Sequence, residues 1–382
     1  AKTLSRSTEV ATLATLLVTY HAWFVDLYYS SGTVYELLCF FFYFTALLYY
    51  VRIRQAGRWL RPAQWAWLCL LYLCALNAKE MAVTLPLFLG IYEFLFSPPA
   101  GLSGMERWLR QEFRGAFLTG ILTLPFAIGK LLGAGSLIEN PAYRPAISGG
   151  KFLDTFHLYL NPFFYQDHFF RDSNTAQLLL LMLVVALWQK SRVLLFSWTF
   201  LLLSVLPFIF LPHYAAFFLY IPSVGWALFG ASIIVSLRKL LWRGVCSISV
   251  KLGRVKAPPG WPVGPILIFL LLACVLGIAH RPESLKTLAH FRSVQPPVRE
   301  MTAELDRELP TVPARSRILF LDDPFPAGDY SLLFLVRLFY DDLSLEIGRR
   351  KSGALPPEDD QPYDFAFTFS NNRLTSVSVP RR

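Results

Sequence analysis

The feature that constrains this chain most is a series of apolar blocks of about 18 to 22 residues, the length an α-helix needs to cross a hydrocarbon core of about 30 Å. Such windows lie at 9–28, 34–51, 63–78, 80–97, 115–133, 175–189, 193–211, 214–236 and 262–280, and they predict about nine membrane-spanning helices. Composition points the same way: 54% of the 382 residues are hydrophobic and only 16% are charged, which excludes a disordered tail and argues against an ordinary soluble enzyme.

The positions of Lys and Arg test this count, because cytoplasmic connections carry the basic excess. Alternate connections hold Lys2 and Arg6; Arg52, Arg54, Arg58 and Arg61; Arg107, Arg110 and Arg114; Lys190 and Arg192; then Arg238, Lys239, Arg243, Lys251, Arg254 and Lys256. The connections between them are nearly devoid of basic residues, except that the long one over 134–174 holds Arg144, Lys151 and Arg171 beside Glu139, Asp154, Asp167 and Asp172. The net charge of +10 is therefore assigned to orientation signals and anionic headgroups, not to nucleic acid. The expected protein is multi-pass, in a bacterial inner (plasma) membrane, with its C-terminal part extracytoplasmic.

Cys39, Cys69, Cys74, Cys246 and Cys274 lie in or beside apolar blocks without a C-x-x-C pair, and read as small core residues. The chain opens Ala1-Lys2-Thr3 without methionine, and an N-terminally incomplete sequence is expected; the first block lacks the cleavage site of a secretory signal. Beyond the last block the sequence turns charged and proline-punctuated. The predicted organisation is a polytopic all-α membrane domain over 1–281, with an outer loop over 134–174, and a small α/β soluble domain over 282–382. In the latter, Ser316 to Leu321 predicts a buried strand, Tyr330 to Phe339 an amphipathic helix, and Tyr363 to Phe369 with Asn371-Asn372 before Leu374 to Val379 a closing hairpin. Asp322-Asp323 reads as a strand-end and helix-cap feature.

Ionisable residues in spans are costly and call for a functional hypothesis. Asp26 at the outer end of the first span, Glu36 just inside the second and Lys79-Glu80 at an outer junction converge on one side. They predict a polar cavity in which a carboxylate acts as general base or binds a metal ion. The competing reading makes Asp26 and Glu36 interfacial and Lys79-Glu80 a turn with local pairing. In the outer loop, His157, Asp167 and His168 sit among aromatic residues that suggest an interfacial belt, or an Asp167-His168 acid/base or metal pair. Arg144 is a candidate phosphate ligand or a headgroup contact. Pro212 to Gly225 predicts a span kinked by an internal proline, with Ser223 and Gly225 allowing close approach.

His21-x-x-x-x-Asp26, Ser31-Gly32 and Glu36-Leu37-Leu38-Cys39-Phe40-Phe41-Phe42 resemble the "HPxxxE…SGRxDLLxxxFFL" stretch of polytopic GT-C glycosyltransferases related to the tetratricopeptide-bearing membrane O-mannosyltransferases. Ala78 to Pro86 followed by Tyr92-Glu93 is similar to their "SKExAVTLPxxxxxYD" motif, and Leu219 to Gly225 to their "RYLYLPSVG" helix. The resemblance, over roughly 15–235, implies transfer of a sugar from a polyprenyl-phosphate donor to a protein, lipid or glycan hydroxyl acceptor on the extracytoplasmic side. It places Asp26 and Glu80 as catalytic acids, the principal one being expected upstream of Ala1. It further implies that His21, Lys79, Arg144, His213 and Tyr220 bind substrate, with Tyr220 and Pro222 shaping a lipid-facing helix. Some members of the family need a divalent metal ion; no metal ligands are assigned here. The chain departs from the pattern at Ala22, Asp26, Thr33-Val34-Tyr35 and Phe217, where the family has Pro, Glu, "RxD" and Arg, and it has no tetratricopeptide repeats. A transporter or lipid flippase, and a catalytically silent envelope-assembly protein, remain as alternatives; a transporter should show internal repeats, and none is apparent.

Overall fold

The computed structural model describes every residue except 20, 22–23, 25–26, 28–30, 102–103, 133–144, 166–167, 212–215, 252–262, 327–330, 352–362 and 379–382. The described chain is mostly helical and divides into two compact units, Ala1–Glu283 and Ser284–Arg382.

In the first unit each apolar window contains helix, and the helix lengths support fewer membrane-length spans than the nine expected. Among the described residues four helices are long and apolar enough to cross a membrane: Val34–Gln55, Arg192–Ile209 with a break at Val205, Ser223–Gly244 and Gly264–Ala289. Thr8–Thr19 and Asp172–Trp188 are shorter apolar helices. The block at 80–97 is divided: Lys79 is extended, Glu80–Thr84 forms a 3-10 turn, and an α-helix runs from Leu85 to Phe96 with Pro86 in its first turn. Proline is tolerated there because its missing N–H would have had no partner within the helix. The window at 214–236 is likewise divided. Ala216–Leu219 is a 3-10 turn, and Pro222 lies in the turn before the helix that begins at Ser223, so it starts a helix where an internal kink is expected.

The last window behaves in the opposite way. Its helix continues past 280 to Glu308, through Pro282, Pro296 and Pro297. A proline removes one N–H and strains one turn, and here the helical residues on either side carry the helix across.

The first unit packs around the Val34–Gln55 helix, whose face at Cys39, Tyr43, Ala46, Leu47 and Tyr50 is buried at three- and four-residue spacing. The Pro62–Ala78 and Leu85–Phe96 helices pack on it, and Leu85–Phe96 also meets Arg114–Leu132. Arg192–Ser204 and Thr8–Thr19 both pack against the helix from Ser223. Gly225 permits the first of these contacts: a Cβ there would lie 2.9 Å from the Ser197 carbonyl oxygen and 3.0 Å from the Leu201 nitrogen.

The second unit is a four-stranded sheet in the order β2-β1-β3-β4, with β1 Arg317–Asp322, β2 Glu346–Arg349, β3 Phe365–Ser370 and β4 Arg373–Ser376. β1 runs parallel to β2 and β3, and β3 and β4 form an antiparallel hairpin. Asn371 and Asn372 both have positive φ, 51° and 60°, the conformation that a two-residue turn compatible with strand twist requires. The Ser331–Phe339 helix connects β1 to β2, a strand with no counterpart among the predicted elements. Met301 and Leu305 pack with Ile318, Phe320, Leu332, Val336 and Phe367 in a separate core. Asp322 ends β1 and forms an ion pair with Lys351. Asp323 is buried, accepts the Phe325 N–H and is held by two nitrogens of Arg349 at 2.9 and 2.7 Å, so it anchors β1 to β2.

Candidate functional site

Lys79 has an extended backbone, and its side chain reaches across to the neighbouring helix. Its Nζ lies 2.8 Å from Glu36 Oε1. This replaces the local Lys79-Glu80 pairing weighed from sequence with a pairing between helices. Glu36 sits in the first turn of the Val34–Gln55 helix, where the dipole favours a carboxylate, and only 4% of it is exposed. Its Oε2 is buried without a hydrogen-bond partner among the described residues. A buried polar oxygen left without a partner is costly, so Oε2 is placed to accept a hydrogen bond from an incoming donor.

Two further contacts clamp the Lys79–Thr84 segment to the same helix face, and a third braces the segment internally. The Cys39 thiol donates to the Lys79 carbonyl oxygen at 3.8 Å, Tyr43 and Thr84 share a hydroxyl–hydroxyl bond of 3.1 Å, and Thr84 donates to the Met81 carbonyl oxygen at 3.1 Å. The Glu36, Glu80 and Lys79 charges all lie close enough to the Cys39 thiol to act on it electrostatically. Glu80, on the 3-10 turn, is half-buried. Two carboxylates with an ammonium bound to one of them form a set suited to accepting a proton or a hydroxyl. Lys79 engages one Glu36 oxygen and leaves the other without a hydrogen-bond partner among the described residues. Among the described residues no three His, Cys, Asp or Glu side chains gather as a metal-ligand group.

An aromatic chain connects this end of the helix to two other predicted residues. Phe40, one turn from Glu36, stacks on Tyr220 at 4.3 Å between ring centroids, and Tyr220 meets Phe24 edge-on at 5.2 Å. Phe24 adjoins His21 at 5.4 Å, and His21 stacks on Tyr165 at 4.9 Å while its Nε2–H donates to the Phe163 carbonyl oxygen at 3.1 Å. Tyr220, partly buried, thus packs between Phe40 and Phe24. His21 is buried with its Nε2 engaged by the backbone.

Asp26, Arg144, His213 and Asp167 lie outside the described residues, whereas His168 is described and exposed. His157 is engaged elsewhere: its Nδ1 meets Asp172 Oδ1 at 2.8 Å. The hydrogen bond between Asp154 and Asp172 raises the Asp154 carboxyl above its ordinary range, assisted by partial desolvation and repulsion from Asp172.

At the other end of the Val34–Gln55 helix is a second polar cluster, which joins Arg54, expected as an orientation signal, to Glu93 of the second motif. Glu93 is 1% exposed and accepts the Tyr50 hydroxyl at 2.7 Å and two Arg54 nitrogens at 2.7 and 3.2 Å. Arg54 also pairs with Glu112 and lies over the Trp59 ring at 3.8 Å. Burial raises the Glu112 carboxyl, and Arg54 pulls in the opposite direction. A single guanidinium thus joins three helical segments. The signal was present in the sequence: Glu36, Cys39, Tyr43, Tyr50 and Arg54 recur at helical spacing within an apolar segment.

These features define a helical membrane protein with a buried inter-helix ion pair and a small sheet-bearing unit. No family model, curated protein or solved structure matches the chain.

Proposed function

We propose that the chain is an integral-membrane glycosyltransferase of GT-C type, which moves a sugar from a polyprenyl-phosphate donor to a hydroxyl acceptor at the extracytoplasmic face of a bacterial inner membrane. The observation that carries this reading is the Glu36–Lys79 pair, with Glu36 Oε2 unpartnered among the described residues, beside the Lys79-Glu80 junction. The motif block from Ala78 to Pro86 supports it, because its residues are held on the helix that carries Glu36.

In this reading a carboxylate among Asp26, Glu36 and Glu80 takes the acceptor hydroxyl proton as the oxygen attacks the anomeric carbon. The bond from that carbon to the phosphate oxygen breaks with inversion, and the electron pair leaves on the polyprenyl phosphate. Lys79, paired with Glu36, supplies positive charge near the departing phosphate. His21 and Tyr220 shape the adjoining aromatic wall, and Arg144 and His213 are further donors toward phosphate.

The test is transfer by purified protein in lipid with radiolabelled polyprenyl-phosphate sugars. Glu80→Gln and Asp26→Asn should each abolish transfer while the protein remains folded in detergent, and full activity in both would remove their assigned roles. Flux of the lipid-linked sugar without transfer would favour the transporter reading instead.

A further inference from the structure

We propose that a crevice toward the basic end of the Val34–Gln55 helix holds one acyl chain of an anionic glycerophospholipid, whose headgroup is met by Lys2 and Arg52. The crevice, about 160 Å³ in volume, lies within the first unit among three helices that are each long and apolar enough to cross a membrane. Phe44, Leu48 and Val51 line it from the Val34–Gln55 helix, Phe200 from the Arg192–Ser204 helix and Leu228 from the helix that begins at Ser223. Leu4, on the short Lys2–Ser5 helix, completes this lining. Val51, Phe200 and Leu228 are buried, whereas Leu48 is 38% exposed, so packing seals the floor and the crevice opens at the Leu48 rim.

The polar groups of the lining are engaged within the protein. The Ser197 hydroxyl donates to the Val193 carbonyl oxygen of its own helix at 2.7 Å, and the Thr3 carbonyl oxygen accepts the Gln55 side-chain amide at 2.8 Å. Water in such a space finds few partners, and an apolar cavity of this kind stays dry or takes up hydrocarbon.

Charge selects the headgroup. Phe44, Leu48 and Arg52 follow one another at four-residue spacing, which places exposed Arg52 one turn beyond the open rim on the same helix face. The Gln55–Thr3 hydrogen bond fixes the segment that carries exposed Lys2 beside that end of the helix. Among the described residues neither Lys2 nor Arg52 has an acidic partner, unlike Arg54, which is taken up by Glu93 and Glu112. Two cations at the end of an apolar crevice match the two parts of an amphiphile, an anionic head and a hydrocarbon chain. Arg52 stands about 24 Å along the helix from Glu36, at 1.5 Å per residue, so this site is separate from the proposed transfer site and the inference is independent of that reading.

The experiment uses the full chain in detergent with dioleoylphosphatidylglycerol, dioleoylphosphatidylcholine or undecaprenyl phosphate added singly. Bound lipid is counted by native mass spectrometry, and a diazirine on the acyl chain of the phosphatidylglycerol locates it. One phosphatidylglycerol should be retained per chain in preference to phosphatidylcholine, with adducts at Phe44, Leu48 or Val224 and none at Leu180, an exposed residue of the Asp172–Trp188 helix. Arg52→Gln should weaken retention about fivefold, the share that one basic residue contributes to headgroup attraction. Leu48→Trp, which fills the rim, should remove the crevice adducts, and Leu180→Trp should leave them unchanged. Equal retention of the two phospholipids, adducts spread evenly over exposed apolar residues, or preferred retention of undecaprenyl phosphate would each overturn the proposal, as would retention that neither Arg52→Gln nor Leu48→Trp alters.

Discussion

Lys79 Nζ stands 2.8 Å from Glu36 Oε1, joining the extended residue after one helix to the first turn of another. Removing one partner from a buried pair costs about 3–5 kcal/mol, and the part-exposed Lys79 places its loss toward the lower end. Lys79→Met should therefore lower the melting temperature in detergent, and Glu36→Gln with Lys79→Met should recover part of the loss. A double-mutant cycle reads the coupling directly, and strictly additive effects would dissolve the pair.

The Glu93 cluster is expected to act as a structural tie. Tyr50→Phe removes one hydrogen bond to a buried charge and should cost about 1.5–3 kcal/mol. Glu93→Gln should cost more, because it leaves Arg54 with Glu112 alone as its acidic partner among the described residues. Thermal unfolding of both variants checks this order, and equal stability of the two would contradict it.

Gly225 tests the close helix crossing. Gly225→Ala forces a Cβ against backbone atoms of the Arg192–Ser204 helix, and overpacking of this kind costs about 1–3 kcal/mol. Gly230→Ala, whose nearest neighbour would be Leu17 at 3.8 Å, should be neutral or slightly stabilising. The contrast is measured as two melting temperatures under one condition.

The Asp154–Asp172 contact predicts a pH-dependent gain. The folded state raises the Asp154 carboxyl, so ionising it opposes folding; the penalty is absent below the unfolded value of 3.8 and is complete above the raised folded value. Asp154→Asn should raise the melting temperature at pH 7, with little change at pH 3. A gain independent of pH would exclude this electrostatic origin.

Much of the helical pattern was legible in the apolar windows, because desolvating a backbone in lipid leaves helix as the structure that satisfies its own hydrogen bonds. The Asn371-Asn372 hairpin was legible as well, since few residues adopt positive φ twice in succession. Helix ends were less so. The break at Lys79–Thr84 and the continuation through Pro282, Pro296 and Pro297 depend on what each segment packs against, which local propensity does not encode.

By itself the sequence determined that this is a membrane protein with a distinct C-terminal segment, and it marked Lys79-Glu80 as unusual, because hydrophobicity and charge are properties of single residues and their spacing. Only the tertiary structure decided the partners. It paired Lys79 with Glu36 instead of Glu80, stacked Tyr220 on Phe40, and joined Tyr50, Arg54, Glu93 and Glu112. Those relations depend on which helix faces meet, and that is settled by packing between segments far apart in the chain.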